Sequence, residues 1–294
     1  MRIAVVVVAA GSGSRLGRGQ AKAFVELAGG TILERALRGV RAWSSEASLI
    51  VVAPGDRVAE AEEIAQRVGP GTAVVAGGSH RQASVAAGLA LVGPDIDVVL
   101  VHDAARPLTP PEQFDAVVAA VDGDRGAAPG LPVADAVKRV AEGVVRETVD
   151  RSDLVAMQTP QGFPRAALVA AYAAADREHT DDAALFAAAG HPVVVVPGDP
   201  AAFKITTEAD LHRAAARLEG AGMRTGIGID VHAFDDAAPL WLGGVYWPDQ
   251  PGLAGHSDGD AIVHAMCDAL LSGAGLGDIG GRFGSADPRF AGAR

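Results

Sequence analysis

IAVVVVAAGSGSRLGRGQAKAF, residues 3–24, runs from an apolar segment through a glycine-rich turn to two cations, Arg15 and Lys22. Residues 3–10 are β-branched or small and show no polar alternation, the pattern of a strand buried on both faces of a parallel sheet. Gly11 and Gly13 let the chain turn sharply and approach a ligand with no Cβ in the way. Taken alone, G-x-G is an ordinary strand–turn–helix joint. Arg15 and Lys22 make it a candidate for a polyphosphate, so a nucleotide is expected here. Two well-known phosphate loops do not fit. Leu16 stands where a dinucleotide fingerprint needs its third glycine, and residues 19–23, GQAKA, do not make a Walker A loop.

The 294 residues suffice for one large domain or two, and a hydrophobic content of 49% supports a substantial core. A formal net charge of −11 argues against a nucleic-acid or anionic-membrane surface. In so acidic a chain the cations Arg15, Lys22, Arg106, Arg151 and Lys204 gain interest. Cys267 is the single cysteine. It excludes an internal disulfide and fits a reducing, cytoplasmic location. No apolar run approaches the roughly twenty residues of a membrane span. The N-terminal apolar segment continues into the glycine turn without a cleavage site, so it reads as a first strand.

Strand and helix patterns alternate along the chain. Helices are expected from Thr31, over 58–68 and over 81–91, and strands over 49–53, 72–76 and 97–101. Such alternation predicts right-handed βαβ units, hence a Rossmann-like α/β fold with a parallel sheet and helices on both faces. Loops at Gly11, Gly78 and His102-Asp103 follow three of these strands, at the carboxyl ends where ligands sit. Residues 131–150 read as a β-hairpin around Ala141-Glu142-Gly143. It carries little core of its own, so a projecting arm that packs on a partner subunit is expected. Helical patterns return over 165–178 and 207–218, with a strand at 193–196. Residues 219–222 read as a linker between a domain over 1–220 and another over 223–294, the latter opening on a strand-like run, 223–230.

A series of short motifs follows in order: AAGSGSRLG (9–17), Lys22, GGSHRQASV (77–85), VHDAARP (101–107), TVDR (148–151), TPQGF (159–163), TDD (180–182) and FKIT (203–206). Together they resemble the 2-C-methyl-D-erythritol 4-phosphate cytidylyltransferases of isoprenoid precursor synthesis, across nearly all of residues 1–218. The resemblance implies a nucleotidyltransferase sheet with a projecting hairpin arm. The implied reaction moves a cytidylyl group from CTP to methylerythritol phosphate and releases pyrophosphate. Arg15 and Lys22 would be the catalytic cations on the triphosphate. Ala9, Ala10, Gly11, Gly78 and Ser84 would hold the nucleotide, largely through backbone groups. Arg106, Arg151, Thr159, Thr180 and Lys204 would surround the acceptor, and Asp103 would bind Mg²⁺. The family's arm swaps across a homodimer, which would carry Arg151 to the neighbour's site. Residue chemistry agrees with that role. Attack on an α-phosphate concentrates negative charge, so catalysis is mostly positioning and electrostatic stabilisation. A carboxylate at a strand end is a hard oxygen ligand suited to Mg²⁺.

Some positions depart from the family. Val8 and Ala21 stand where proline is usual, and Ala23, Ser79 and Ala136 replace polar residues. Thr180-Asp181-Asp182 also reads as a plain helix N-cap. Two rivals share the glycine turn with its cations: a sugar-phosphate nucleotidyltransferase using another nucleoside triphosphate, and a non-catalytic nucleotide-binding module.

A second constellation lies beyond residue 223. Asp230 and His232 are two apart in a strand-like run and so face the same way, while His264 lies on a helical segment. One carboxylate and two imidazoles make a set for Zn²⁺, or another divalent metal, with an open fourth position. MRTGIGIDVHAF (223–234), HSDGDAIVHAMCDALL (256–271) and GLGDIG (275–280) resemble the 2-C-methyl-D-erythritol 2,4-cyclodiphosphate synthases, lyases that release CMP. The resemblance makes Asp230, His232 and His264 the metal ligands and places His256, Ser257, Asp278 and Gly280 near the substrate's diphosphate. The sequence reaches about midway through that family's domain, and Gly284 and Ser285 replace its usual Pro-Asp. An incomplete α+β domain, inactive as a synthase by itself, is therefore expected. Trimerisation is expected only of an intact synthase domain.

Overall fold

The computed structural model describes residues 1–11, 21–44, 46–218, 225–255 and 259–284. Arg15, His256 and Ser257 lie outside the described residues. The chain divides into two compact units, Met1–Gly220 and Ala221–Arg294.

The first unit alternates as its sequence does. β1 (Ile3–Val8) is followed by a short antiparallel pair, β2 (Glu26–Leu27) and β3 (Gly30–Thr31), then α1 (Ile32–Trp43), β4 (Ser48–Ala53), α2 (Val58–Val68) and β5 (Thr72–Ala76). Next come α3 (Arg81–Leu89), β6 (Val98–Asp103), α4 (Pro111–Ala120) and β7 (Gly126–Pro132). β8 (Val137–Ala141) and β9 (Val144–Val149) form the hairpin, and β10 (Val155–Met157) and β11 (Gln161–Pro164) return to the body. α5 (Arg165–Ala174), α6 (Asp182–Ala188), β12 (Val193–Pro197) and α7 (Glu208–Leu218) complete the unit. β1 sits mid-sheet between β6 and β4, with β5 beyond β4, all parallel. β11 joins β6 to β7, and β12 lines the other edge of β7.

Alternate residues of β1 explain why its sequence shows no polar alternation. Val5 and Val7 pack with Leu33, Leu37, Ile64 and Phe114 on one face, while Ala4 and Val6 pack with Val85, Leu89, Leu168 and Phe186 on the other. Both faces are covered by helices, so no position of the strand can be polar. Gly88 of α3 lies against this second face: a Cβ there would come within 2.6 Å of Val6 Cγ1 and 2.9 Å of Val52 Cγ2.

In this unit four expectations need correction. The sheet is mixed rather than parallel, because β11 and β10 run antiparallel to their neighbours. The chain reaches them through the hairpin arm rather than a crossover helix, and antiparallel pairing needs no crossover. His102-Asp103 is not a loop, since β1 pairs with it to the end, Val7 against His102 and Val8 against Asp103. α5 ends at Ala174 rather than 178, since Ala175 turns to extended backbone with ψ 120°, and the Gln82 side chain then holds the Arg177 carbonyl and the His179 N–H. α3 likewise stops at Leu89, where Leu91 and Val92 donate to carbonyls three residues back.

The arm turns through Glu142 and Gly143, with φ +52° and +77°, the sense that suits strand twist in a two-residue turn. Arg139 pairs with Glu147 at 3.0 Å across it, and Val140, Val144 and Val145 are exposed. α7 opens on a capping box: Asp210 accepts from the N–H and hydroxyl of both Thr206 and Thr207, and its own N–H donates to Thr207.

In the second unit, residues 225–233 pair with no strand among the described residues, so the strand-like run is extended without a ladder. Gly226 and Gly228 instead lie on the backbone of α8 (Ala261–Gly273), where a Cβ would run into Ala269 and Ala265. β13 (Phe234–Asp235) pairs with β16 (Gly252–Leu253), and β14 (Leu240–Leu242) with β15 (Val245–Trp247). Asp260 ties these pieces together. Nearly fully buried, it caps α8 through Val263 N–H and accepts from Gly243 and Gly244 in the β14–β15 turn. Asp278 caps α9 (Ile279–Phe283). No helix among the described residues is long and apolar enough to cross a membrane.

Gly88→Ala is expected to destabilise the protein by about 1–3 kcal/mol in urea unfolding, overpacking outweighing the gain in helix propensity. Burial opposes ionisation of Asp210, but the donors of Thr206 and Thr207 outweigh it and hold the carboxyl at about 2. A depressed folded-state pKa stabilises above the unfolded value near 4 and loses that contribution as pH falls towards about 2. Asp210→Asn should therefore flatten the acid limb of stability against pH between about 4 and 2.

Candidate active site

The parallel ladders bring three strand ends to one level. Beyond β1, the Ala9 N–H donates to Val52 O at 2.8 Å, and the Ala104 N–H donates to Val8 O at 3.0 Å. The Gly77 N–H donates to Ala53 O at 2.7 Å. The turns that follow are thus anchored to one another's strands. They enclose a cavity of about 370 Å³ lined by Ala9, Ala10, Gly11, Lys22, Gly78, Ser84, Asp103 and Lys204. Two glycines of the turn after β5 are required by contact. A Cβ on Gly77 would lie 2.5 Å from that of Ala10, and one on Gly78 would lie 2.5 Å from that of Ala83. Ser84, in the first turn of α3, accepts from the Gly78 N–H at 3.2 Å and donates to His80 O at 3.0 Å.

Asp103 forms the charged floor. It is 7% exposed and offers one oxygen to Arg81, at 3.3 Å, and the other to Lys204, at 2.8 Å. Burial pushes its carboxyl towards neutrality, but Arg81, Lys204 and Arg106 outweigh burial and hold it well below the usual carboxylate range. Its backbone is fixed from behind, since the N–H donates to Thr159 Oγ1 at 3.1 Å. That hydroxyl also meets His102 Nδ1 at 3.1 Å. Burial lowers His102 to about 4, so the imidazole is uncharged at neutral pH.

Four of the expected acceptor residues do not line the cavity. Thr159 is buried, with its hydroxyl spent on Asp103 and His102. Arg106 donates to Ala202 O at 2.7 Å and to Met157 O at 3.3 Å, bracing the chain before Lys204 and before Thr159. Arg151 is exposed at the base of the arm, donating to Val133 O. Thr180 is exposed ahead of α6, where Asp181 provides the N-cap that the sequence also allowed, accepting from Ala184 N–H at 2.9 Å. Sequence reasoning passed over Arg81 and Asp182, which meet at 2.7 Å. Both lie inside quoted motifs, but no spacing rule pairs residues so far apart in the chain.

In the second unit Asp230, His232 and His264 converge. Asp230 Oδ2 lies 2.8 Å from His232 Nε2 and 3.1 Å from His264 Nδ1, and the two imidazole nitrogens are 3.4 Å apart. All three side chains are partly buried. His232 Nδ1 lies 2.5 Å from Ala254 O, a carbonyl that orients the ring and turns Nε2 towards Asp230 and His264. This donor set fits a divalent metal. Asp278 and Gly280 lie at the start of α9, where Asp278 is occupied with the Gly281 N–H at 2.7 Å.

Comparison with known proteins agrees with both halves. The model of the 2-C-methyl-D-erythritol 4-phosphate cytidylyltransferase family matches residues 3–220, and that of the YgbB family matches 223–294. A bifunctional enzyme IspD/IspF of Clavibacter michiganensis subsp. michiganensis is 58% identical over 99% of this chain and 75% of its own length. Another from Anaeromyxobacter sp. (strain Fw109-5) is 43% identical over 99% of this chain and 76% of its own. Among solved structures, the bifunctional IspDF of Campylobacter jejuni is 28% identical at a TM-score of 0.63, covering all of this chain and 76% of that one. The 2-C-methyl-D-erythritol 4-phosphate cytidylyltransferase of Thermus thermophilus is 34% identical at 0.62, covering 75% of this chain and all of that one. The chain is thus a member of the 2-C-methyl-D-erythritol 4-phosphate cytidylyltransferase family over residues 3–220 and of the YgbB family over 223–294, the combination of bifunctional IspD/IspF enzymes.

Proposed function

We propose that residues 1–220 form a domain that transfers a cytidylyl group from CTP to methylerythritol phosphate. A phosphate oxygen of the acceptor attacks the α-phosphorus, the α–β bridging bond breaks, and pyrophosphate leaves. The observation that carries this reading is the cavity, in which close-packed glycine turns, two lysines and a fixed carboxylate meet. Ala9, Ala10, Gly11 and Gly78 present backbone to the nucleotide, and Ser84 can exchange its internal bonds for the base. Lys22, with Arg15, clamps the triphosphate, and Lys204 takes the acceptor phosphate. Arg106 and Thr159 contribute by holding that floor together. Arg151 and Thr180 approach the acceptor from the arm and from α6. Exposed valines along β8 and β9 suit packing on a second copy, giving a homodimer in which Arg151 serves the neighbour's site.

Asp103 already faces two cations, so it fits Mg²⁺ only as one ligand of a shell otherwise made of phosphate oxygens and water. Bound there, Mg²⁺ would offset charge on the triphosphate and the departing pyrophosphate. Residues 223–294 form a second domain in which Asp230, His232 and His264 hold a divalent metal. Nitrogen and carboxylate donors favour Zn²⁺, which would polarise a phosphoryl oxygen. His256, Ser257, Asp278 and Gly280 lie towards the diphosphate in this reading.

Pyrophosphate release from CTP and methylerythritol phosphate should fall on the order of 10³-fold in Lys22→Ala, the scale of losing one cation on a transferring phosphoryl group. Unchanged turnover would refute its role, and a preference for UTP with a hexose phosphate would favour the sugar-phosphate rival. His264→Ala should lose bound Zn²⁺ by elemental analysis while cytidylyl transfer is retained. Equal Zn²⁺ content in the variant would remove His264 from the metal set.

A further inference from the structure

Arg81, at the start of α3, reaches carboxylates from two other elements. Its Nη2 lies 2.7 Å from Asp182 Oδ2 and 3.3 Å from Asp103 Oδ1, with Nε 3.4 Å from the same Asp103 oxygen. Asp182, in the first turn of α6, is fully buried, and its other oxygen accepts from the Tyr172 hydroxyl of α5. Arg81 therefore supplies the cation that matches a sealed charge, and it cannot leave without stranding that charge. Lys204 is placed differently. Its side chain is 37% exposed and meets Asp103 through one ammonium on a flexible stem.

We propose that Arg81 is a positioning residue for cytidylyl transfer. Anchored by Asp182 and Tyr172, it fixes the Asp103 carboxylate at the cavity floor and leaves Lys204 as the cation that turns to incoming phosphate. The inference rests on the reading of Asp103 as a participant in that reaction. A buried ion cluster adds little to stability over apolar packing of the same volume. A fixed carboxylate matters more to rate, because a displacement of about 1 Å near reacting groups can cost on the order of 100-fold.

The test is steady-state pyrophosphate release by the full chain, varying CTP, methylerythritol phosphate and Mg²⁺. It compares Asp182→Asn, Tyr172→Phe, Asp103→Asn and the double variant Asp182→Asn/Asp103→Asn. Asp182→Asn should lower kcat on the order of 10- to 100-fold with KM for CTP nearly unchanged, and Tyr172→Phe should show the same pattern more weakly. The double variant should be no slower than Asp103→Asn alone, because both act through one carboxylate. Multiplying losses in the double variant, or a loss seen only in KM for CTP or in Tm, would overturn the proposal. If Asp182→Asn does not fold, Tyr172→Phe combined with Asp103→Asn decides by the same criterion. Full turnover in Asp103→Asn would overturn the reading of Asp103 and the inference with it. Loss in Asp103→Asn alongside normal Asp182→Asn and Tyr172→Phe would overturn the inference alone.

Discussion

In-register parallel pairing of β6, β1, β4 and β5 ends neighbouring strands at one height, and the candidate site of the first unit depends on that alignment. Each strand still has backbone groups to satisfy where it stops. Ala9, Ala104 and Gly77 donate back to Val52, Val8 and Ala53, which continues the sheet's hydrogen bonding into the turns themselves. The first residue beyond each of these strands is thereby held by the ladder. Backbone groups held this way suit an anionic ligand, because they need no rearrangement when charge develops.

The cavity floor adds charge to this backbone frame against the opposing effect of burial. Asp103 is the last residue of β6, so its main chain is locked by the ladder and by Thr159, and its side chain by cations from α3 and from the chain before α7. The acidic chain thus concentrates cations around one carboxylate. His102 points the other way, its ring tilted against Phe114 in the core, and meets the Asp103 backbone through the Thr159 hydroxyl. Neighbouring residues of one strand therefore serve opposite faces of the sheet, one lining the cavity and one packed in the core.

The second unit builds its triad by a different route. Gly226 and Gly228 bring an extended segment onto the α8 backbone, and that contact sets Asp230 and His232 beside His264. Asp260 makes the same helix the anchor of the β14–β15 turn. Helix α8 is thus both the scaffold and the source of one residue of the triad.

Residue order alone determined much of this protein. Uninterrupted β-branched runs marked the buried strands, Val58–Val68 and Thr72–Ala76 were legible to the residue, and the ordered motifs named the family. The hairpin was legible from its Glu-Gly turn. What the sequence could not determine was which groups were already spent. Thr159 and Arg106 carry the right chemistry for a ligand, yet they are consumed by neighbours that no local pattern identifies. Arg81 and Asp182 were invisible as a pair because their ion pair spans the sheet's packing rather than a helical or strand period. The antiparallel return of β11 and the unpaired run at 225–233 were likewise decided by available neighbours. Local patterns report how a residue treats its own element, and only the folded chain settles which partners compete for its hydrogen bonds and charge.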